Sequence, residues 1–485
     1  MSSLYGIKRL GAVLTLGISL SASVADVKLP SVLGSHMVLQ RGVECPIWGW
    51  ADAGEAVTVS FAGQNAKATA GKDGKWQVNL KALTASAKGR VLTVKGNNTV
   101  KLADVLVGEV WLCSGQSNME WTVDRANNPK AEIADGNHPR LRHIKIPHRP
   151  SREPESDVPS TGWQVTTPAV VAKFTAVGYF FGRHLMNELD VPIGLIGSNW
   201  GGTRIEPWTP SIGFKAVPAL KDISDKLDTY PAMKKVKDRK TGKVTEAINP
   251  QSPLALYNGM ISPLLPYAIR GAIWYQGESN NGEGMLYYEK MKALIAGWRS
   301  VWSNPEMPFY FVQLAPYKYR GENREYQLPG IWQAQLKTLD IANTGMAVTT
   351  DIGNVKNIHP ANKQEAGKRL ALWALAQTYG QKDLVHSGPI YKSHKRAGAQ
   401  LRVSFDHLGS GLTSLDGKAL SHFEVAGKNG KFVSATAKIE GQAILVSSPD
   451  VKAPVHFRFG WHETAEPNFG NKEGLPAAPY SSAFK

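Results

Sequence analysis

Two cysteines in 485 residues, Cys45 and Cys113, exclude a disulfide framework as what holds this chain together. Long apolar runs are scarce as well. The one near the start, Leu10 to Leu20, is too short to span a bilayer, and no later segment reaches that length, so no membrane span is expected. The twelve histidines form no HxxxH or HExxH cluster, which leaves a metal site without sequence support. Acidic residues are few, 40 against 56 Lys and Arg, a formal net charge of +16. Such a balance raises nucleic acid as a partner. The cations are scattered, however, and 14 tryptophans suit a sugar-handling surface at least as well, so no nucleic-acid partner is expected. The basic balance then serves solubility or attraction to acidic glycans.

What is present begins with a leader. Lys8 and Arg9 precede the apolar run, and Ser23-Val24-Ala25 supplies small residues at the spacing of a cleavage site. This is the pattern of a secretory signal peptide over residues 1–25. The mature chain is expected to start near Asp26 and to be periplasmic or secreted. Its length leaves room for two to three domains, and 42% hydrophobic residues supply a sizeable core.

Three regions follow. Residues 26–105 hold short alternating runs ("PIWGWA", "AVTVSFAG", "KWQVNL", "RVLTVKG") separated by Gly, Asp and Asn, the signature of a small β-sandwich. No catalytic constellation occurs there. From 106 to 380 strands alternate with amphipathic helices. Strands are expected at 109–113, 193–198, 270–275, 308–314 and 345–350. Helices are expected at 174–189, 285–302 and 361–379, each with an apolar stripe of helical period. This alternation implies an α/β fold, a parallel sheet with helices on both faces. A stretch at 206–256, rich in Lys, Asp and Pro, reads as a surface insertion. Residues 385–485 return to alternating β runs, "QLRVSFDHL", "FEVAG", "AILVSS" and "VHFRFGW", and end in a Pro- and Ser-rich tail expected over the surface.

The chain is organised around Gly108–Trp121, "GEVWLCSGQSNMEW". Glu109 to Cys113 reads as a buried strand, in which Cys113 serves as a small apolar residue. The strand breaks at Ser114-Gly115, and a helical turn begins near Ser117. A serine there can cap the helix. It can also attack an ester carbonyl, with backbone N–H groups of the helix start facing the developing charge. Ligands of an open parallel sheet bind beyond the carboxyl ends of its strands. The loops at those ends carry Ser117, then Asn199 to Arg204 with Gly201 and Gly202, then Gln276-Gly277-Glu278, and finally Asp351 and His359. A nucleophile and a base need only meet in space.

At these motifs the chain resembles the sialate O-acetylesterase family of SGNH-type hydrolases. The resemblance rests on "CSGQSNMEW", "GGTRIEPW", "LYNGMISPLLPYAIRGAIWYQGESN" and "DIGNVKNIHPANKQEAGKRLALWAL", with "RVSFDHLGSGL" and "NKEGLPAAPY" in the last region. It covers nearly all of the mature chain. It implies an SGNH-type sheet flanked by β-sandwich-like domains, and an exported serine esterase that removes O-acetyl groups from carbohydrates without a cofactor. Ser117 would be the nucleophile and His359 the base. The oxyanion hole would use the backbone at Ser117 and the Gly201–Gly202 turn together with the Gln276 side chain. The position three before the histidine, often Asp in such hydrolases, is Lys356 here, and Asn357 follows it. The acid partner is therefore Asp351 first, Glu278 second, or none beyond a backbone carbonyl.

The partner expected is an acetylated sugar or glycan, with Trp121, Trp200, Trp208 and Trp274 as stacking surfaces and Arg204 as a contact for a sialate carboxylate. An Arg204–Glu206 salt bridge is the structural alternative. Acetylated xylan is the other substrate class. A lipase or thioesterase of the same fold would want an apolar groove, and a non-catalytic glycan-binding module would leave the Ser, Gln, Glu and His set without a purpose. Pairing of Cys45 with Cys113 stays open.

Overall fold

The computed structural model describes residues 26–237, 242–319, 321, 324 and 326–484. Its centre is a sheet of six parallel strands in the order Thr344–Ala347, Phe309–Val312, Gly271–Tyr275, Thr99–Gly115, Ile193–Asn199 and His138–Lys145, with Gln164–Thr166 antiparallel at the edge. The central members are buried at every position, which is why they read as unbroken apolar runs. His138–Lys145 was not expected as a strand.

Helices Ala176–Leu189, Leu286–Val301, Gln327–Lys337 and Lys363–Trp373 connect or cover these strands. Thr175 caps the first of them by accepting from Gly178 N–H, and Asp190 closes it in the left-handed conformation. Asn362 caps the last by accepting from Glu365 N–H at 3.1 Å. The Gln327–Lys337 helix was not expected. The 361–379 helix runs as a regular helix to Trp373 and as a wider π turn from Ala374 to Thr378.

The strand Thr99–Gly115 is seventeen residues long and belongs to two systems. Its first half pairs antiparallel with Ser86–Lys95, which pairs in turn with Ala56–Phe61; its second half is the core of the parallel sheet. The transition expected at 105/106 thus falls inside one continuous strand, and one apolar core runs from Val27 through the parallel sheet.

Beyond residue 385, two four-stranded antiparallel sheets enclose a separate core that includes Leu401, Val403, Phe423, Val425, Phe457 and Phe459. The tail is more deeply placed than its composition suggests: Leu475, Ala477 and Ala478 are buried, and Tyr480–Ser481 pairs with His456–Phe459.

The 206–256 stretch is also only partly a surface feature. Glu206, Pro207 and Trp208 are buried. Phe214, Val217, Leu220 and Leu254 form a small core against Ala293. An exposed hairpin, Met233–Lys237 with Val244–Ile248, carries its Lys-rich part. Both cysteines are free and buried, and burial pushes the Cys45 thiol up to about 12 and Cys113 up as well. They pack as small apolar residues.

Candidate active site

The serine strand is buried without interruption from Val105 to Gly115, so the chain must leave the sheet abruptly to expose a side chain. Gly115 makes this possible. Its φ is +133°, and a Cβ there would sit 2.2 Å from the Tyr275 carbonyl oxygen, so only glycine fits. Gln116 N–H then donates to the same carbonyl at 2.9 Å, and Ser117 opens the single helical turn Ser117–Glu120.

His359 arrives from the loop between the Thr344–Ala347 strand and the last helix. Its Nε2 lies 2.8 Å from Ser117 Oγ, a direct contact across 242 residues of sequence. The imidazole lies flat on Trp121, with ring centroids 4.8 Å apart and planes 19° apart. Burial, then the charges of Lys363 and Arg125, hold its pKa below the ordinary 6.5. The neutral ring is the form that can take a proton from the serine.

No carboxylate among the described residues pairs with a ring nitrogen of His359. Asp351, the first choice from sequence, is committed elsewhere. Its two oxygens each lie 2.6 Å from the guanidinium of Arg369, which ties the strand end to the last helix. Glu278 is held by Asn118 Nδ2 at 2.6 Å. Its other oxygen, Oε2, is buried without a partner, and burial raises its pKa. The structure brings together serine and histidine and leaves the expected aspartate out.

The expected oxyanion donors divide in the same way. Gln276 is fully buried and its amide is consumed: Nε2 donates to the Thr203 carbonyl at 3.1 Å and to Asn280 Oδ1 at 2.7 Å, and Oε1 accepts from the Tyr287 hydroxyl at 2.8 Å. It is a strut beneath the site. Gly201 N–H donates to Glu120 Oε2 at 2.8 Å. Its lack of a side chain still matters, because a Cβ would lie 3.2 Å from Ser117 Cβ. The N–H groups of Ser117 and Gly202 have no acceptor among the described residues. These two remain available to a developing oxyanion.

Among the tryptophans, Trp208 and Trp274 belong to the core and cannot stack on a sugar. Trp121 serves as the floor under His359. Trp200 is partly exposed and stacks on His148 at 4.3 Å with planes 3° apart. His148 Nε2 lies 2.9 Å from Glu120 Oε1, so Glu120 links this stack to Gly201. Arg204 pairs with Glu206 at 3.0 Å and with Glu283, and its Nη1 donates to the Ser279 carbonyl at 3.2 Å. Burial alone would raise Glu206, but Lys290 and Arg204 bring it down to about 2.

Sequence reasoning missed Asn118, Glu120, His148 and Lys363. Asn118 and Glu120 lay inside the quoted serine motif, and Lys363 follows His359 by four residues and opens the last helix. His148 carried no signal, since only the folded chain brings the segment after the His138–Lys145 strand beside Trp200. Among the described residues no group of three or more His, Cys, Asp or Glu side chains is placed to hold a metal ion.

The comparisons agree with this geometry. The family model of sialic acid-specific acetylesterases, a class of carbohydrate esterase, matches residues 107–376. The sialate O-acetylesterase of Rattus norvegicus is 33% identical over 413 residues, which is 75% of this chain and 76% of the relative. That of Homo sapiens is 32% identical over 400 residues, 75% of this chain and 73% of the relative. A solved structure of a carbohydrate acetylesterase from Xanthomonas citri superposes with a TM-score of 0.85 at 37% identity, covering 95% of this chain and 100% of that one. This chain therefore belongs to the sialic acid-specific acetylesterase family and is a carbohydrate acetylesterase, a carboxylic-ester hydrolase.

Proposed function

We propose that the enzyme is exported and deacetylates sugars through an acetyl-Ser117 intermediate. The observation that carries this reading is the 2.8 Å contact between Ser117 Oγ and His359 Nε2. As Oγ attacks the acetyl carbonyl, His359 takes its proton, and the carbonyl oxygen gains charge beside the Ser117 and Gly202 amides. The C–O bond to the sugar then breaks, and the sugar oxygen leaves with the proton from His359. Water attacks acetyl-Ser117 with His359 again as base, acetate departs, and the serine is restored. Replacing Ser117 with Ala should cut turnover by as much as about 10⁶-fold and abolish the acetyl-enzyme, as read by mass spectrometry after a pulse of p-nitrophenyl acetate. A variant that turns over like wild type would overturn the mechanism.

The relatives' name points to acetylated sialic acids as substrate, and Arg204, with 37% of its side chain exposed, could meet the sialate carboxylate. A second reading, acetylated neutral polysaccharides such as xylan, draws support from Glu206 and Glu283, which already offset the Arg204 charge. Acetate release from matched acidic and neutral acetylated glycans separates the two. Equal losses on both panels for Arg204→Ala would remove its role as a carboxylate contact.

The leader, 1–25, lies outside the described residues. No helix among those described is long and apolar enough to cross a membrane. N-terminal sequencing of exported protein should begin at Asp26.

A further inference from the structure

The base lacks a carboxylate, yet its loop is not loose. Asn118, the residue after the nucleophile, is 1% exposed and uses its whole amide. Nδ2 donates to Glu278 Oε1 at 2.6 Å and to the carbonyl of Ile358 at 3.0 Å, and Oδ1 accepts from Lys363 Nζ at 2.5 Å. Ile358 immediately precedes the base, and Lys363 starts the helix that follows it. One side chain beside the serine thus grips both flanks of the histidine. Lys363 is itself 1% exposed, with its ammonium 5.1 Å from the Tyr275 ring and 6.0 Å from that of Trp121.

Building on the acetyl-serine reading, we propose that Asn118, Glu278 and Lys363 are positioning residues that replace the missing aspartate: Asn118, held by Glu278 and Lys363, locks the His359 loop onto the nucleophile turn, and the Lys363 ammonium, 6.0 Å from the Trp121 ring on which the imidazole stacks, places a positive charge near the base. An aspartate would orient the ring and stabilise its protonated form. This arrangement orients the loop from the other side and opposes early protonation. The groups facing His359 are Lys363, Arg125 and the Trp121 ring; those facing Lys363 are Glu278, Asn118 and Tyr275; those acting on or with Glu278 include Tyr275 and Tyr319. Burial brings Lys363 down to about 7 against the pull of Glu278, so it still carries charge where an imidazole titrates, and Lys363 in turn lowers His359.

The test uses the full-length mature enzyme and p-nitrophenyl acetate. Lys363→Met should move the acid limb of kcat/KM to higher pH, because His359 loses the charge that opposes its protonation. Asn118→Leu should lower kcat by roughly 10²-fold with KM little changed, the pattern of a misplaced catalytic group. A folded Lys363→Met enzyme with an unmoved limb, or an Asn118→Leu enzyme with wild-type kcat, overturns the proposal. Should either variant fail to fold, wild-type enzyme labelled with 13C at the lysine ε carbon decides: lysines that all stay protonated across the acid limb of kcat/KM support the proposal, and a lysine that has already lost its proton below that limb overturns it. Ser117→Ala, run beside these, separates the two levels. A live Ser117→Ala enzyme sinks the acetyl-serine reading, whereas a dead one with an unmoved Lys363→Met limb sinks only this inference.

Discussion

Asp351 and Arg369 meet as two parallel hydrogen bonds, and the arginine side chain is only 6% exposed. Such a fork is a geometric clamp. Removing Asp351 leaves the Arg369 charge largely buried with only Glu365, at 3.8 Å, to offset it. Asp351→Asn should therefore cost about 1–3 kcal/mol of stability, at the lower end because the carboxylate is 21% exposed, while leaving the acid limb of the rate profile where it was. Urea titration and the pH–rate profile of the same variant check both halves. The limb itself should lie below the ordinary imidazole range, since burial and the Lys363 and Arg125 charges all lower the pKa of His359.

At the scale of elements, the instructive strand is His138–Lys145. Its sequence, HPRLRHIK, reads as polar, yet Leu141 to Ile144 are buried. Arg142 is neutralised by Asp104 at 2.7 Å, and His143 stacks on Phe174 at 4.4 Å. Nε2 of His143 is buried without a partner, and burial, helped by Lys145, lowers its pKa to about 3. The unfolded chain takes up a proton near pH 6.5 that the folded chain refuses until about 3. Between these values the unfolded state binds more protons, so stability falls as pH drops, at roughly 1.4 kcal/mol per pH unit for this one group. His143→Phe should flatten that slope in urea titrations between pH 6.5 and 4. Identical slopes for both proteins would show that another group governs the acid side.

Across the whole molecule, the tail fastens the C-terminal sheets to the catalytic layer. Tyr480 stacks on Tyr391 at 3.9 Å, and Ser481 N–H donates to Gln333 Oε1 at 3.2 Å on the Gln327–Lys337 helix. A chain ending at residue 470 should lose roughly 3 kcal/mol or more, from the burial of Leu475, Ala477 and Ala478 and the packing of the half-buried Tyr480. The check is a lower melting temperature, with p-nitrophenyl acetate turnover retained below it, because Ser117 and His359 lie on other elements.

The sequence by itself determined the elements whose burial pattern is uniform. Fully buried parallel strands such as Ile193–Asn199 and Gly271–Tyr275 can be read because each residue reports the same environment, and helices such as Ala176–Leu189 because their apolar residues recur at helical period. It likewise made Ser117 and His359 legible as candidates, from their positions at strand ends and the long motifs around them. Only the tertiary structure decided which neighbours those residues have. Asp351, Gln276, Gly201 and Trp208 carry the right chemistry in the loops that follow the strands, but each group can satisfy one set of partners at a time. Theirs are Arg369, Asn280, Glu120 and the core. Asn118 and Lys363 come together across 245 residues for the same reason: hydrogen bonding between buried groups is settled by packing in space, which no local pattern along the chain records.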